Sequence, residues 1–118
     1  MSAETALVAA LDAAAGVTAL VGTRIYPDAR SMETALPAIV YLRTGTSFEM
    51  TIHGTVALTR AQMGIGCYGR TRDEAEEVAD AVHTALLAAR FVPLNRNGDF
   101  EDETEHYIVA MLFEHIAA

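Results

Sequence analysis

Residues 64–77 read Gly64-Ile65-Gly66-Cys67-Tyr68-Gly69-Arg70-Thr71-Arg72-Asp73-Glu74-Ala75-Glu76-Glu77. The glycines spell G-x-G-x-x-G, and an acidic, alanine-rich segment follows. The stretch is either a dinucleotide-binding turn or a strand that contains glycines, and the fold turns on which. A dinucleotide turn ends a parallel strand at its first glycine and places its third inside the next helix. An acid then follows ~20 residues on to hold a ribose. Here Thr71 and Glu74 form a T-x-x-E capping box, so the helix starts after Gly69. Period-2 alternation also runs straight through the glycines. Ala61, Met63, Ile65 and Cys67 fall on one face, and Arg60, Gln62, Gly64, Gly66 and Tyr68 on the other. No acid lies between Asp80 and Asp99. The reading is a strand, Val56–Gly69, running into a capped helix. Gly64 and Gly66 clear space on its second face, for a bulge, a bend or the close approach of another backbone.

Working outward, Ala75, Val78, Ala79, Val82, Leu86 and Ala89 make an apolar helical stripe, and Asp73, Glu76, Glu77 and Asp80 sit in the first turns, where the helix dipole favours acids. A first helix is expected over residues 3–15 from Leu7, Val8, Leu11 and Ala14, stopped at Gly16, with one further turn over Val17–Val21. Arg24–Pro27 reads as a short extended piece at a sheet edge. Asp28–Ala35 reads as a loop. Pro37–Arg43 reads as a strand apolar on both faces. Thr44–Gly54 reads as a mobile hairpin connection carrying Phe48 and Met50. Phe91–Leu94 is expected as a short strand, and Asn95–Glu105 as a polar loop turning at Asn97-Gly98. Tyr107–Ile116 reads as a closing strand. Tyr107, Val109, Met111 and Phe113 lie on one side of it, and Ile108, Ala110, Leu112 and Ile116 on the other.

The order α, β, β, β, α, β, β predicts an α+β fold: a mixed, mostly antiparallel sheet with two helices packed on one face. The 118 residues suit one domain, 1–118. Helices cover only one sheet face, yet two strands are apolar on both. The second face is therefore expected to meet a neighbouring subunit.

Composition narrows the function class. The formal charge is −8, and all eight basic residues are arginines. A dedicated nucleic-acid binder carries a basic patch. An acidic surface suits instead a path that DNA passes without sticking. No apolar run reaches the ~20 residues of a membrane span, so no membrane partner is expected. The acidic N-terminus fits neither a secretory signal nor a presequence. The one cysteine, Cys67, allows no internal disulfide, and its place on the apolar strand face predicts an inert thiol. His53, His83, His106 and His115 have no helical metal spacing. No nucleophile elbow, phosphate loop or carboxylate dyad is visible. The expectation is assembly without catalysis, cofactor or metal.

The run Val21-Gly22-Thr23-Arg24-Ile25-Tyr26-Pro27, then Leu36-Pro37-Ala38-Ile39-Val40-Tyr41, resembles the front half of the tail-completion or tail-terminator proteins of long-tailed bacteriophages and gene transfer agents. Arg60-Ala61-Gln62-Met63 through Arg70-Thr71-Arg72-Asp73-Glu74-Ala75 is similar to that family's middle segment, as is Tyr107–Phe113 to its closing strand. The resemblance spans nearly the whole chain through the order and spacing of short motifs. It implies a small α/β fold that assembles as a ring, typically a hexamer, on the head-proximal end of the tail tube. The ring would stop tube growth and join the tail to the head's connector or stopper, as a virion component with DNA only as passing cargo. No catalytic residues come with it.

Interface residues follow from pattern. Val40, Leu42, Ile108 and Leu112 lie on the doubly apolar strands, Gly64 and Gly66 beside them, and Phe48 and Met50 on the arm. Arg43, Arg60, Arg70 and Arg72 read either as partners for a neighbour's acidic cluster or as solvated surface residues. A portal-side neck protein, or a small soluble enzyme or ligand-binding module, are the competing readings. Binding to tube ends rather than capsids separates the first of these, and a nucleotide-induced thermal shift the second.

Overall fold

The computed structural model describes residues 2–28, 35–101 and 106–117. Among them are three helices, α1 (Ala3–Ala13), α2 (Ala15–Val21) and α3 (Arg72–Ala88), and five strands. The strands are β1 (Ile25–Pro27), β2 (Ala38–Met50), β3 (Val56–Gly69), β4 (Val92–Glu101) and β5 (His106–Ala117). They form one sheet in the order β1-β2-β3-β5-β4. Only β1 runs parallel to its neighbour; the other three pairings are antiparallel. The α+β expectation holds, and the strand through Gly64 and Gly66 is central with antiparallel neighbours on both sides. A dinucleotide turn requires a parallel strand there.

The alternation on β3 sets the layering. Ala61, Met63, Ile65 and Cys67 are all buried, alongside Val109, Met111 and Phe113 of β5 and Ile39 of β2. Against them pack Ala75, Val78, Ala79, Val82 and Leu86 of α3, Ala3, Leu7 and Leu11 of α1, and Val17 and Val21 of α2. All the described helices thus lie on one face. The turn expected at Val17–Val21 is a separate seven-residue helix, bent by 85° from α1. The break falls at Ala14, whose extended backbone (ψ 110°) leaves the helical region. No single described helix is long and apolar enough to cross a membrane.

The start of α3 follows the capping box. Thr71 Oγ accepts from the Glu74 backbone N–H at 3.1 Å. The Glu74 carboxylate reaches back one residue further than the motif predicts, accepting from the Arg70 backbone N–H at 3.2 Å and pairing with its guanidinium. Burial pushes the Glu74 carboxyl up, but the hydrogen bonds from Arg70 outweigh it and hold the group below the usual carboxylate range. Gly69, just before, lies against the helix. A Cβ there would meet the backbone nitrogen of Ala75 at 2.6 Å, so the glycine is what lets helix and strand approach.

Two expectations are corrected. Thr44–Met50 is not a mobile connection. It continues β2 in register with β3, Thr46 opposite Ala61 and Phe48 opposite Thr59, and the turn is confined to residues 51–55. A β-bulge at Thr44, between Arg43 and Gly45, swaps the faces. Odd residues face the helices before it and even residues after it, which erases the period-2 signal. Likewise Asn95–Glu101 is strand, with Asn97 opposite Ala110 and Gly98 opposite Val109 instead of forming a turn. A second bulge at Leu94 breaks its pattern. The remainder of that expected loop, residues 102–105, and residues 29–34 of the expected 28–35 loop lie outside the described residues.

Four outcomes are expected. Gly69→Ala lowers the denaturant midpoint by about 1–3 kcal/mol equivalent, because neither backbone can yield. Gly98→Ala leaves it unchanged, since a Cβ there meets nothing within 4 Å. Glu74→Gln lowers the thermal midpoint at pH 7. The folded-state pKa is depressed, so this stabilisation is present above the unfolded value of about 4.3 and lost as pH falls through the folded one. The gap to wild type therefore closes in acid. Cys67 is buried and its thiol is pushed up to about 12 by desolvation. A maleimide at pH 8 should label it only as fast as the chain unfolds; rapid native labelling would contradict its place in the core.

Candidate assembly surfaces

The pairings place the apolar and glycine positions derived from pattern on the sheet face away from the helices, and Arg43 and Phe48 on the helix side. Leu42, Gly64 and Leu112 form one row across β2, β3 and β5; Val40, Gly66 and Ala110 form the next; Ala38, Tyr68 and Ile108 the third. Val40, Leu42, Gly64, Gly66, Ile108 and Leu112 are thus brought together. The space above the glycines, however, is filled from within. The Tyr68 ring lies over Gly66 and the Thr44 methyl over Gly64, each 3.1 Å from a would-be Cβ, with Leu42 at 3.9 Å from the latter. Within the chain, the glycines make room for its own side chains. Val40 is already buried in the single chain, and Leu42 keeps 39% exposure.

The larger apolar exposure lies elsewhere. The β2–β3 hairpin extends past the helices as an arm of a molecule 52 Å long. Phe48, Met50, Ile52 and Val56 on it are 59, 57, 95 and 52% exposed. On β4, Val92, Leu94 and Phe100 are each about two-fifths exposed. The sequence reading selected Phe48 and Met50 but missed Ile52, Val56 and the β4 residues. The available signal was apolar side chains inside segments otherwise polar enough to read as loops.

The arginines are engaged within the chain. Arg43 donates from Nε to Glu4 Oε1 at 2.9 Å and from Nη1 to Thr46. Arg60 joins Glu49 (2.7 Å) on the arm to Glu114 (3.1 Å) on β5, and these bonds raise its pKa. Arg70 pairs with Glu74, and the Arg72 guanidinium stands 5.8 Å over the Tyr107 ring. Arg96 of β4 binds Glu76 and Asp80 of α3. Each of these arginines has a partner that the folded chain itself brings within range. Exposed pairs of this kind contribute little net stability, so they orient the arm and β4 more than they hold the core.

Besides the outer side of the three-residue β1, two longer strand edges face no strand among the described residues. β1 ends at Pro27 opposite Tyr41, which leaves the outer edge of β2 open from Leu42 to Met50. β4 is the other edge of the sheet. Such edges are pairing templates unless blunted. β4 carries Pro93 at its start only, and β2 past Leu42 carries no proline.

Pockets offer less. A cleft of about 300 Å³ is lined by Arg72, Ala75, Glu76, Gly98, Phe100 and Tyr107. Its charged groups already have partners, Arg72 over Tyr107 and Glu76 with Arg96. Among the described residues, no group of three or more His, Cys, Asp or Glu is placed to hold a metal ion.

This arrangement is shared with a solved structure. A chain from the virion of a native gene transfer agent particle superposes with a TM-score of 0.82 at 18% identity. The match covers 96% of this chain and 92% of that one. The likeness concerns the fold. A comparison with curated protein sequences finds no match. The family model described as tail completion protein gp17 matches residues 5–116, from α1 to β5. With helix, sheet and hairpin all inside that match, the chain belongs to the gp17 family of phage tail-completion proteins.

Proposed function

We propose that this structural tail protein forms a closed ring at the head-proximal end of the tail tube. There it ends tube growth and presents the surface that joins the tail to the head's connector or stopper. The observation that carries this reading is the family match over residues 5–116. Physical features agree with it. A ring is built from heterologous contacts, which require two different surfaces on one subunit. The arm with Phe48 and Met50, and the opposite sheet edge β4, are two such surfaces. A charge of −8 lets DNA pass as cargo without being gripped. The partners are further copies of the chain, six in the simplest reading, together with the tail tube protein and the connector. The sheet face bearing Val40, Leu42, Gly64, Gly66, Ile108 and Leu112 lies against one of these partners or lines the ring's interior. The place of action is the virion tail.

The test is native mass with and without purified tail tubes, coupled to electron microscopy of particles assembled without the protein. A six-fold species, and tails of uncontrolled length when the protein is withheld, are expected. A monomer that ignores tubes but binds capsids would overturn the terminator role in favour of a portal-side position.

A further inference from the structure

The outer edge of the β2 arm and the edge strand β4, both open among the described residues, differ in sequence, lie on opposite sides of the sheet, and hold most of the exposed large apolar residues described. We propose that they pair with each other between copies. The outer edge of the β2 arm on one subunit accepts β4 of the next, so that the sheets join through backbone hydrogen bonds. This rests on the ring reading above and names its subunit contact.

Backbone direction supports the pairing. Ile39 donates to Arg24 and Tyr41 accepts from Asp28, so odd residues of β2 turn their backbone groups to the outer edge. The bulge at Thr44 transfers that role to Thr46 and Phe48. Following the same alternation through β3 and β5, Asn95 and Asn97 bond to β5, and Arg96 and Gly98 turn outward on β4. Thr46, Phe48, Arg96 and Gly98 all project on the helix side of the sheet, sharing a face as directly opposed residues must. Gly98 has open space above it, which the Phe48 side chain one rung away can cover.

Strand sense agrees as well. β2, β3, β5 and β4 alternate in direction, so within a chain β2 and β4 are antiparallel. A rotation about a ring axis preserves each strand's sense, so β4 meets the neighbour's β2 in the antiparallel arrangement that short edges form readily.

The stagger also closes. Gly98 is level with Ile39 through Val109 and Cys67. Setting it opposite Thr46 shifts the neighbour by the seven residues from 39 to 46 less the bulged Thr44, hence six rungs or about 20 Å. The repeat from β2 to the next β2 is four strands, about 19 Å wide. The ratio corresponds to a strand tilt of about 45°, at the edge of the range that closed barrels adopt. The next smaller shift on the same face drives the Phe100–Glu101 end of β4 against Tyr41, which already pairs with Pro27. β1 therefore acts as the stop that sets the stagger.

The test is the double variant Ser47→Cys, Asn97→Cys. The two positions oppose each other in this register. Within one chain they lie on strands three spacings apart, about 14 Å, beyond disulfide reach. Cys67 is buried and stays out of the reaction. Mild oxidation, with purified tubes present if the ring needs them, should give a ladder of covalent oligomers ending at the native ring size. Thr46→Pro removes an outward N–H that the chain's own ladder does not use. It should raise the concentration for half-assembly about tenfold and leave the fold intact. A ring-sized native mass with only monomer on a non-reducing gel, or Thr46→Pro assembling like wild type, would overturn the edge pairing while sparing the ring. A monomer by native mass with and without tubes would overturn both.

Discussion

The contact on which the rest of the structure depends is the seating of α3 against the apolar face of β3. Gly69 permits it, since any side chain at that position would strike the Ala75 backbone. Met63, Ile65 and Cys67 on one side and Val78, Val82 and Leu86 on the other are fully or almost fully buried. Burying a side chain of this size contributes roughly 1.5–3 kcal/mol, several times what an exposed ion pair provides. The layer they form also fixes topology. The helix carries the chain past the sheet so that β4 returns parallel to β3, leaving a slot that β5 fills with antiparallel partners on both sides.

From that layer follows an asymmetry that matters for assembly. α1, α2 and α3 cover the sheet over its body but not along the arm, where both faces of the β2–β3 hairpin meet solvent. Backbone pairing alone would leave such a projection pliant. Arg60, clamped between Glu49 and Glu114, ties the arm to β5, and Arg43 ties its base to Glu4 of α1. These bonds are individually weak, yet each joins separate elements and holds the arm in one direction relative to the body.

The glycine motif shows how one local pattern serves different physics in different folds. In a nucleotide-binding unit the glycines bring backbone to phosphate. Here Gly66 accommodates the Tyr68 ring, Gly64 accommodates Thr44 and Leu42, and Gly69 admits a helix. All three glycines are small because something belonging to the same chain lies close. The second sheet face is accordingly less bare than its apolar residues suggest, and the exposed apolar surface moves to the strand edges.

The residues by themselves determined whatever local periodicity and capping control. The bounds of β3, the capped start of α3, the edge position of Arg24–Pro27 and the buried state of Cys67 were all legible, because each depends on neighbours one to four residues away. Tertiary structure decided the rest. The two bulges, at Thr44 and Leu94, reverse which residues face the helices, so the alternation that marks a strand cancels in the arm and in β4. Both segments are also polar on much of their surface, because no helix covers the arm and β4 has a neighbour on one side only. A strand paired along one edge and wetted elsewhere has the composition of a loop. Only the long-range register, Thr46 beside Ala61 and Asn97 beside Ala110, distinguishes it from one. The arginines follow the same logic. Their charge is local, but their partners lie 39 and 54 residues away for Arg43 and Arg60, at separations that no sequence window spans.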